Sequence, residues 1–133
     1  MGLKITLKPH ESIIIGEAVI VNGDSRAGFL IENNVPILKG KDIMREGEAD
    51  SPCKRIYFAI QLMYVNEKNI LQHHSIYWQL VKEVIKAAPS TLPMLDQISR
   101  QILGRRYYQA LKLAKKLIEY EQETIKNACS QAT

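Results

Sequence analysis

A chain of 133 residues with 46% hydrophobic and 24% charged residues is long enough to bury a core without staples and too apolar to be a disordered tail. Its net charge of +4 comes with no apolar run near the ~18 residues that span a bilayer, and MGLKITLKPHE shows no apolar stretch behind a basic leader, so a cytoplasmic location is expected. Cys53 and Cys129 stand far apart in no metal-like spacing and are expected to be free structural thiols.

From Leu3 to about Met44 the runs LKITL, SIIIGEAVIV, GFLIE and VPILK alternate or are rich in β-branched residues, predicting four or five short antiparallel strands. Pro9-His10, Asn22-Gly23-Asp24 and Asn33-Asn34 separate them. Asn22-Gly23 is expected to form a tight hairpin, because both residues accept a positive φ. Pro36 brings no N–H to a ladder, so its strand is expected at a sheet edge. The polar link KGKDIMREGEAD then ends the strand-like half.

Beyond the link the period is helical. Asp50 or Ser51 can cap a helix with Pro52 at its first position, and the body CKRIYFAIQLMYV has only Lys54, Arg55 and Gln61 as polar residues, predicting a helix buried at the centre. A second helix is expected from Asn66 or Glu67 to Ala88, a third over about Leu92–Leu103, and a fourth from Arg105 to about Lys126 after an interruption at Gly104. The fold class is therefore α+β: a small antiparallel β subdomain over residues 1–48, then a bundle of about four helices over 49–133. A sheet of ~45 residues buries too little by itself, so its apolar face needs cover from a partner subunit or from the apolar helix.

Little in the chain resembles a catalytic centre. His73 and His74 are adjacent, point about 100° apart on a helix and so cannot share a metal, which makes them surface or packing residues. His10 lies beside Glu11 in the first turn with no nucleophile in view. GDSRAG and GKD lack the spacing of a nucleophile elbow and of a phosphate loop. No catalytic residue, metal or cofactor is expected.

Charge is the unusual feature. Residues 1–48 hold six cations against seven acids, whereas 49–133 hold twelve against seven. Between Asp96 and Glu119 stand Arg100, Arg105, Arg106, Lys112, Lys115 and Lys116 without a single acid. On a helical wheel Arg105, Lys112 and Lys116 fall within roughly 40°, opposite Tyr107, Ala110, Leu111, Ala114, Leu117 and Ile118, with Tyr108 and Lys115 flanking them. Such a stripe suits phosphates with an aromatic at hand for a base, although by periodicity alone a basic stripe is more often a solvated helix face.

Four blocks in order, LKITLKPHESIIIGEAVIVNGD, LIENNVPILKGKDIM, SPCKRIYFAIQLMYV and GRRYYQALKLAKKLI, resemble the FlbT family of flagellin post-transcriptional regulators from about residue 3 to residue 120. The resemblance implies a small protein that binds the 5′ untranslated leader of flagellin messenger RNA and represses translation or promotes decay. It leaves room for direct contact with the companion regulator FlaF and for a homodimer. The first 45 residues are also similar in strand lengths and turn placement to the RNA-binding carbon storage regulator CsrA. That likeness implies basic contacts from Lys8 and from Lys39 or Lys41, while Leu7 stands where a further cation would be. RNA contacts are expected from Lys8, Lys39, Lys41 and Arg45, with Arg105, Arg106, Lys112 and Lys116 as an auxiliary face. The competing reading is an adaptor or chaperone-like factor in flagellum assembly that affects RNA indirectly.

Overall fold

The computed structural model describes residues 2–131, with side chains to residue 126, so the side chain of Cys129 lies outside the described residues. Five antiparallel strands precede four helices, and the backbone falls into two compact units, one ending at Ile43 and the other beginning at Met44. The α+β class and this order of elements agree with the sequence pattern.

In the first unit β1 (Leu3–Leu7) pairs with β4 (Ala27–Ile31), and a separate sheet has the order β3 (Ala18–Val21), β2 (Ser12–Ile15), β5 (Ile37–Lys39). The register sets Leu3, Ile5 and Leu7 beside Ile31, Phe29 and Ala27, which gives the two-stranded sheet one continuous apolar face. Ile13 and Leu38 are sealed in the three-stranded sheet. β5 is an edge, and Pro36 just before it accepts the Gly16 N–H at 2.8 Å through its carbonyl.

The tight hairpin is not at Asn22-Gly23. It is the two-residue turn Gly16-Glu17 between β2 and β3, with Gly16 at φ 60°. This turn divides SIIIGEAVIV into two strands. Asn22 instead uses its side chain: Nδ2 donates to the carbonyls of Leu7 (3.3 Å), Lys8 (2.8 Å) and Ser25 (3.0 Å), and Oδ1 accepts the Gly23 N–H at 2.9 Å. An Asx residue so engaged closes a wider link and takes no positive φ. His10, at φ 63°, does adopt the left-handed conformation, with Nε2 3.3 Å from Asp24 Oδ1.

In the second unit α1 (Pro52–Val65) packs against α2 (Ile70–Ala87) and α4 (Tyr107–Gln131), and α3 (Leu92–Leu103) packs against α4. α1 is central, as its composition predicts, and Ile56, Ile60 and Met63 are fully buried. The Ser51 hydroxyl caps it by accepting the Lys54 N–H at 3.2 Å. The one buried polar residue of α1, Gln61, is satisfied at both ends by Met44, donating to its carbonyl (2.9 Å) and accepting its N–H (2.8 Å). α2 begins later than the sequence suggests, because Glu67–Asn69 form a 3-10 turn first.

Burial pushes the Cys53 thiol up to about 12, with the Glu121 carboxylate adding to the effect. Burial likewise pushes the Tyr77 hydroxyl to about 12, against a lowering contribution from its 2.8 Å hydrogen bond to Ser99. Both groups stay neutral in the fold and ionise in the unfolded chain from roughly pH 9 to 10. Folded values above unfolded ones give stability that is whole below about pH 9 and falls as pH rises toward 12. Urea midpoints are therefore expected to drop between pH 9 and 11, and Tyr77→Phe should lessen that drop. Native Cys53 should resist alkylation at pH 8 until denaturant is added.

Candidate nucleic-acid interface

The eight candidate cations divide between the units: Lys8, Lys39 and Lys41 belong to the first, and Arg45, Arg105, Arg106, Lys112 and Lys116 to the second.

In the first unit the basic segments meet at an acid. Glu11 Oε1 accepts the Lys8 N–H at 3.0 Å, and its Oε2 lies 2.8 Å from where a Cβ on Gly40 would stand. Gly40 takes φ 53° ahead of the exposed Lys41. A carboxylate between the Lys8 and Lys41 segments reduces the local positive potential. Lys39 is half-buried, because β5 pairs it with the sealed Ile13 and its stem shares that face.

Arg45 is exposed, and it precedes a 3-10 turn that contains Glu46 and Glu48, with its N–H donating to Glu48 Oε1 at 3.0 Å. Two acids in the turn that follows Arg45 make this segment a poor phosphate site.

Arg105 is not on the helical wheel. α3 closes in a Schellman motif: the Arg105 N–H donates to the Ile102 carbonyl at 3.0 Å and the Arg106 N–H to the Gln101 carbonyl at 2.8 Å. The residue in the left-handed region is Arg105, at φ 59°, and not Gly104. The bonds place the left-handed position one residue after the glycine, so α4 starts only at Tyr107. A side chain there costs about 1 kcal/mol relative to glycine. Arg105→Gly is therefore expected to raise stability by about 0.5–1 kcal/mol in urea unfolding. Arg106 folds back, with Nε donating to Gln101 Oε1 at 2.6 Å and its guanidinium over Gly104.

On α4 the wheel holds. Ala110, Leu111, Ala114 and Leu117 are buried, while Lys112 and Lys116 are exposed on the other side. Tyr108, Lys112 and Lys116 follow at four-residue intervals, a row about 12 Å long. Lys112 Nζ lies 4.9 Å from the centroid of the Tyr108 ring, which also meets the Tyr64 ring at 6.1 Å. Tyr64, from α1, has no signal in the sequence that ties it to this face. Lys116 shares a shallow groove with Glu119, Glu123 and Lys126.

Beside Arg105 a second groove is lined by Leu71, His74, Leu103 and Tyr107, with Leu71 83% and Leu103 70% exposed. His74 Nε2 and the Tyr107 hydroxyl are 3.3 Å apart. His73 is buried, and burial, then its neighbour His74, lowers its affinity for a proton. Among the described residues no helix is long and apolar enough to cross a membrane.

The family model described as Flagellar protein FlbT matches residues 3–125. The chain is 46% identical over 124 residues to the probable flagellum biosynthesis repressor protein FlbT 1 of Bradyrhizobium diazoefficiens, covering 92% of this chain and 84% of that one. It is 40% identical to the probable flagellum biosynthesis repressor protein FlbT of Rhodopseudomonas palustris, over 94% of this chain and 98% of the relative. The flagellum biosynthesis repressor protein FlbT of Caulobacter vibrioides is 33% identical, over 98% and 94%. No solved structure matches the chain.

Proposed function

This chain belongs to the FlbT family of flagellar proteins, and from that we propose that it is a repressor of flagellum biosynthesis that binds the 5′ leader of flagellin messenger RNA. It acts in the cytoplasm and without catalysis, lowering translation of the message or promoting its decay. The repressor role comes from the names its relatives carry. The RNA role is supported by one observation above the others: an acid-free basic stretch whose row Tyr108, Lys112, Lys116 faces outward on a helix anchored by its opposite side. Lysines at that spacing meet successive phosphates of a single strand, and a tyrosine ring at the end of the row offers a stacking surface to an unpaired base. Lys8, Lys39 and Lys41 contribute a smaller share from the first unit.

A second reading is favoured by Leu71 and Leu103, whose exposure beside Arg105 suits an adaptor that grips a flagellar partner, FlaF being one candidate, and affects RNA indirectly. The two separate in one experiment. Purified protein is expected to retard a flagellin leader RNA at low salt, with retardation lost steeply as salt rises. No retardation at low salt, together with a stable complex with a flagellar protein, would overturn the RNA reading.

A further inference from the structure

β3 is the one strand of the first unit in which every residue is exposed. Val19 is 68%, Val21 63% and Ile20 40% exposed, and β3 stands at the edge of its sheet. Of the other edges, β4 (Ala-Gly-Phe-Leu-Ile) is likewise uncharged, but it is broken by Gly28 and exposed only at alternate residues. β1 contains Lys4, and β5 is three residues long, follows a proline and ends in Lys39. β3, with the sequence Ala-Val-Ile-Val, has no charge, no proline and, among the described residues, no strand paired to its outer side. An uncharged β-branched edge left open on both faces is a template for another strand.

The hairpin determines which groups are on offer. A two-residue turn makes Ile15 and Ala18 a hydrogen-bonded pair, so amides alternate along β3 and those of Ala18 and Ile20 face β2. The bond from the Asn22 N–H to the Glu11 carbonyl, 2.9 Å, continues the same alternation. Val19 and Val21 therefore aim their N–H and C=O groups outward. An antiparallel partner must match outward residues with outward residues, and β3 satisfies this with itself. Centred on Ile20, Val19 of one copy pairs with Val21 of the other, Ala18 meets Asn22 and Glu17 meets Gly23. No like charges stand opposite one another.

We propose that β3 is a self-pairing edge, through which two copies of this chain join their three-stranded sheets about a two-fold axis at Ile20. The contact is small, four residues a side, and belongs to the weak, concentration-dependent class. It is independent of RNA binding. Ile20 and its symmetry mate form a non-hydrogen-bonded pair, the closer kind in an antiparallel ladder.

Sedimentation velocity on the full chain without RNA is expected to show a monomer–dimer equilibrium that shifts with concentration. Val19→Lys with Val21→Lys, both at exposed positions, should weaken it by about tenfold or more while leaving the melting curve in place. In a Cys129→Ser background Ile20→Cys should oxidise to a disulfide-linked dimer, whereas Leu30→Cys, exposed on the other sheet, should not. A chain that stays monomeric at every soluble concentration would overturn the proposal. So would dimerisation untouched by the two lysines, or a monomer that uses Val19 and Val21 to hold a different protein.

Discussion

Glu121→Ala is expected to lower the unfolding free energy by about 2 kcal/mol, although the residue is half-exposed in the body of a long helix. Its carboxylate closes the N-terminus of α1. Oε1 accepts the Ser51 hydroxyl at 2.5 Å and Oε2 accepts the Cys53 N–H at 3.1 Å. Ser51 in turn accepts the Lys54 N–H, and Pro52 has none to satisfy, so the amides of the first turn are served by one hydroxyl and one distant acid. Negative charge at this end also meets the positive end of the helix dipole. Removing it strands a buried amide and releases α4 from α1. Ser51→Ala should cost about 1 kcal/mol, and the double variant less than the two singles added, because both act on one network. Urea unfolding of the four proteins checks this. A loss under ~0.5 kcal/mol for Glu121→Ala would mean that Ser51 alone caps the helix.

Ser51 and Pro52 mark the start of α1 in the sequence, and Leu92–Leu103 is bounded in the structure as the sequence predicts, because caps, prolines and apolar periods act within a few residues. The other half of that same cap is 70 residues away, where nothing in Glu121's own neighbourhood distinguishes it from Glu119 or Glu123. Tyr64 and Tyr108 are separated in the same way: each is one tyrosine in an ordinary helical pattern, and only the packing of α1 on α4 brings the rings together.

The turns are different, because there local signals compete. Asn22-Gly23 is the stronger dipeptide, yet Gly16 makes the hairpin, since β2 must bond β3 through one set of residues and β5 through the other. At the end of α3 the glycine is likewise displaced by one. Hydrogen bonds to Gln101 and Ile102 determine that Arg105 turns left-handed, and this takes Arg105 off the stripe that a continuous helix would have given it. The basic face is thus shorter than the sequence suggests, and it has an aromatic partner, Tyr64, that the sequence does not announce.

Lys112→Ala with Lys116→Ala is the change expected to matter most for RNA. Each phosphate contact to a single strand contributes about 0.7 to the slope of log affinity against log salt, so losing both should reduce that slope by about 1.4 and weaken binding roughly tenfold at physiological salt. Stability should hardly move: both side chains are exposed, and Lys112 gives up only a surface contact with the Tyr108 ring, ~0.5 kcal/mol or less. Tyr108→Ala should weaken binding by a further 1 kcal/mol or so without altering the salt slope, because stacking releases no counterions. Lys39→Ala with Lys41→Ala should weaken it less than the α4 pair, given the half-buried stem of Lys39 and the Glu11 carboxylate at Gly40. Fluorescence anisotropy of a labelled flagellin leader over a salt series reads all three variants. Should the α4 pair leave both slope and affinity unchanged while the first-unit pair abolishes binding, the phosphate-contacting face would belong to the strands and not to α4.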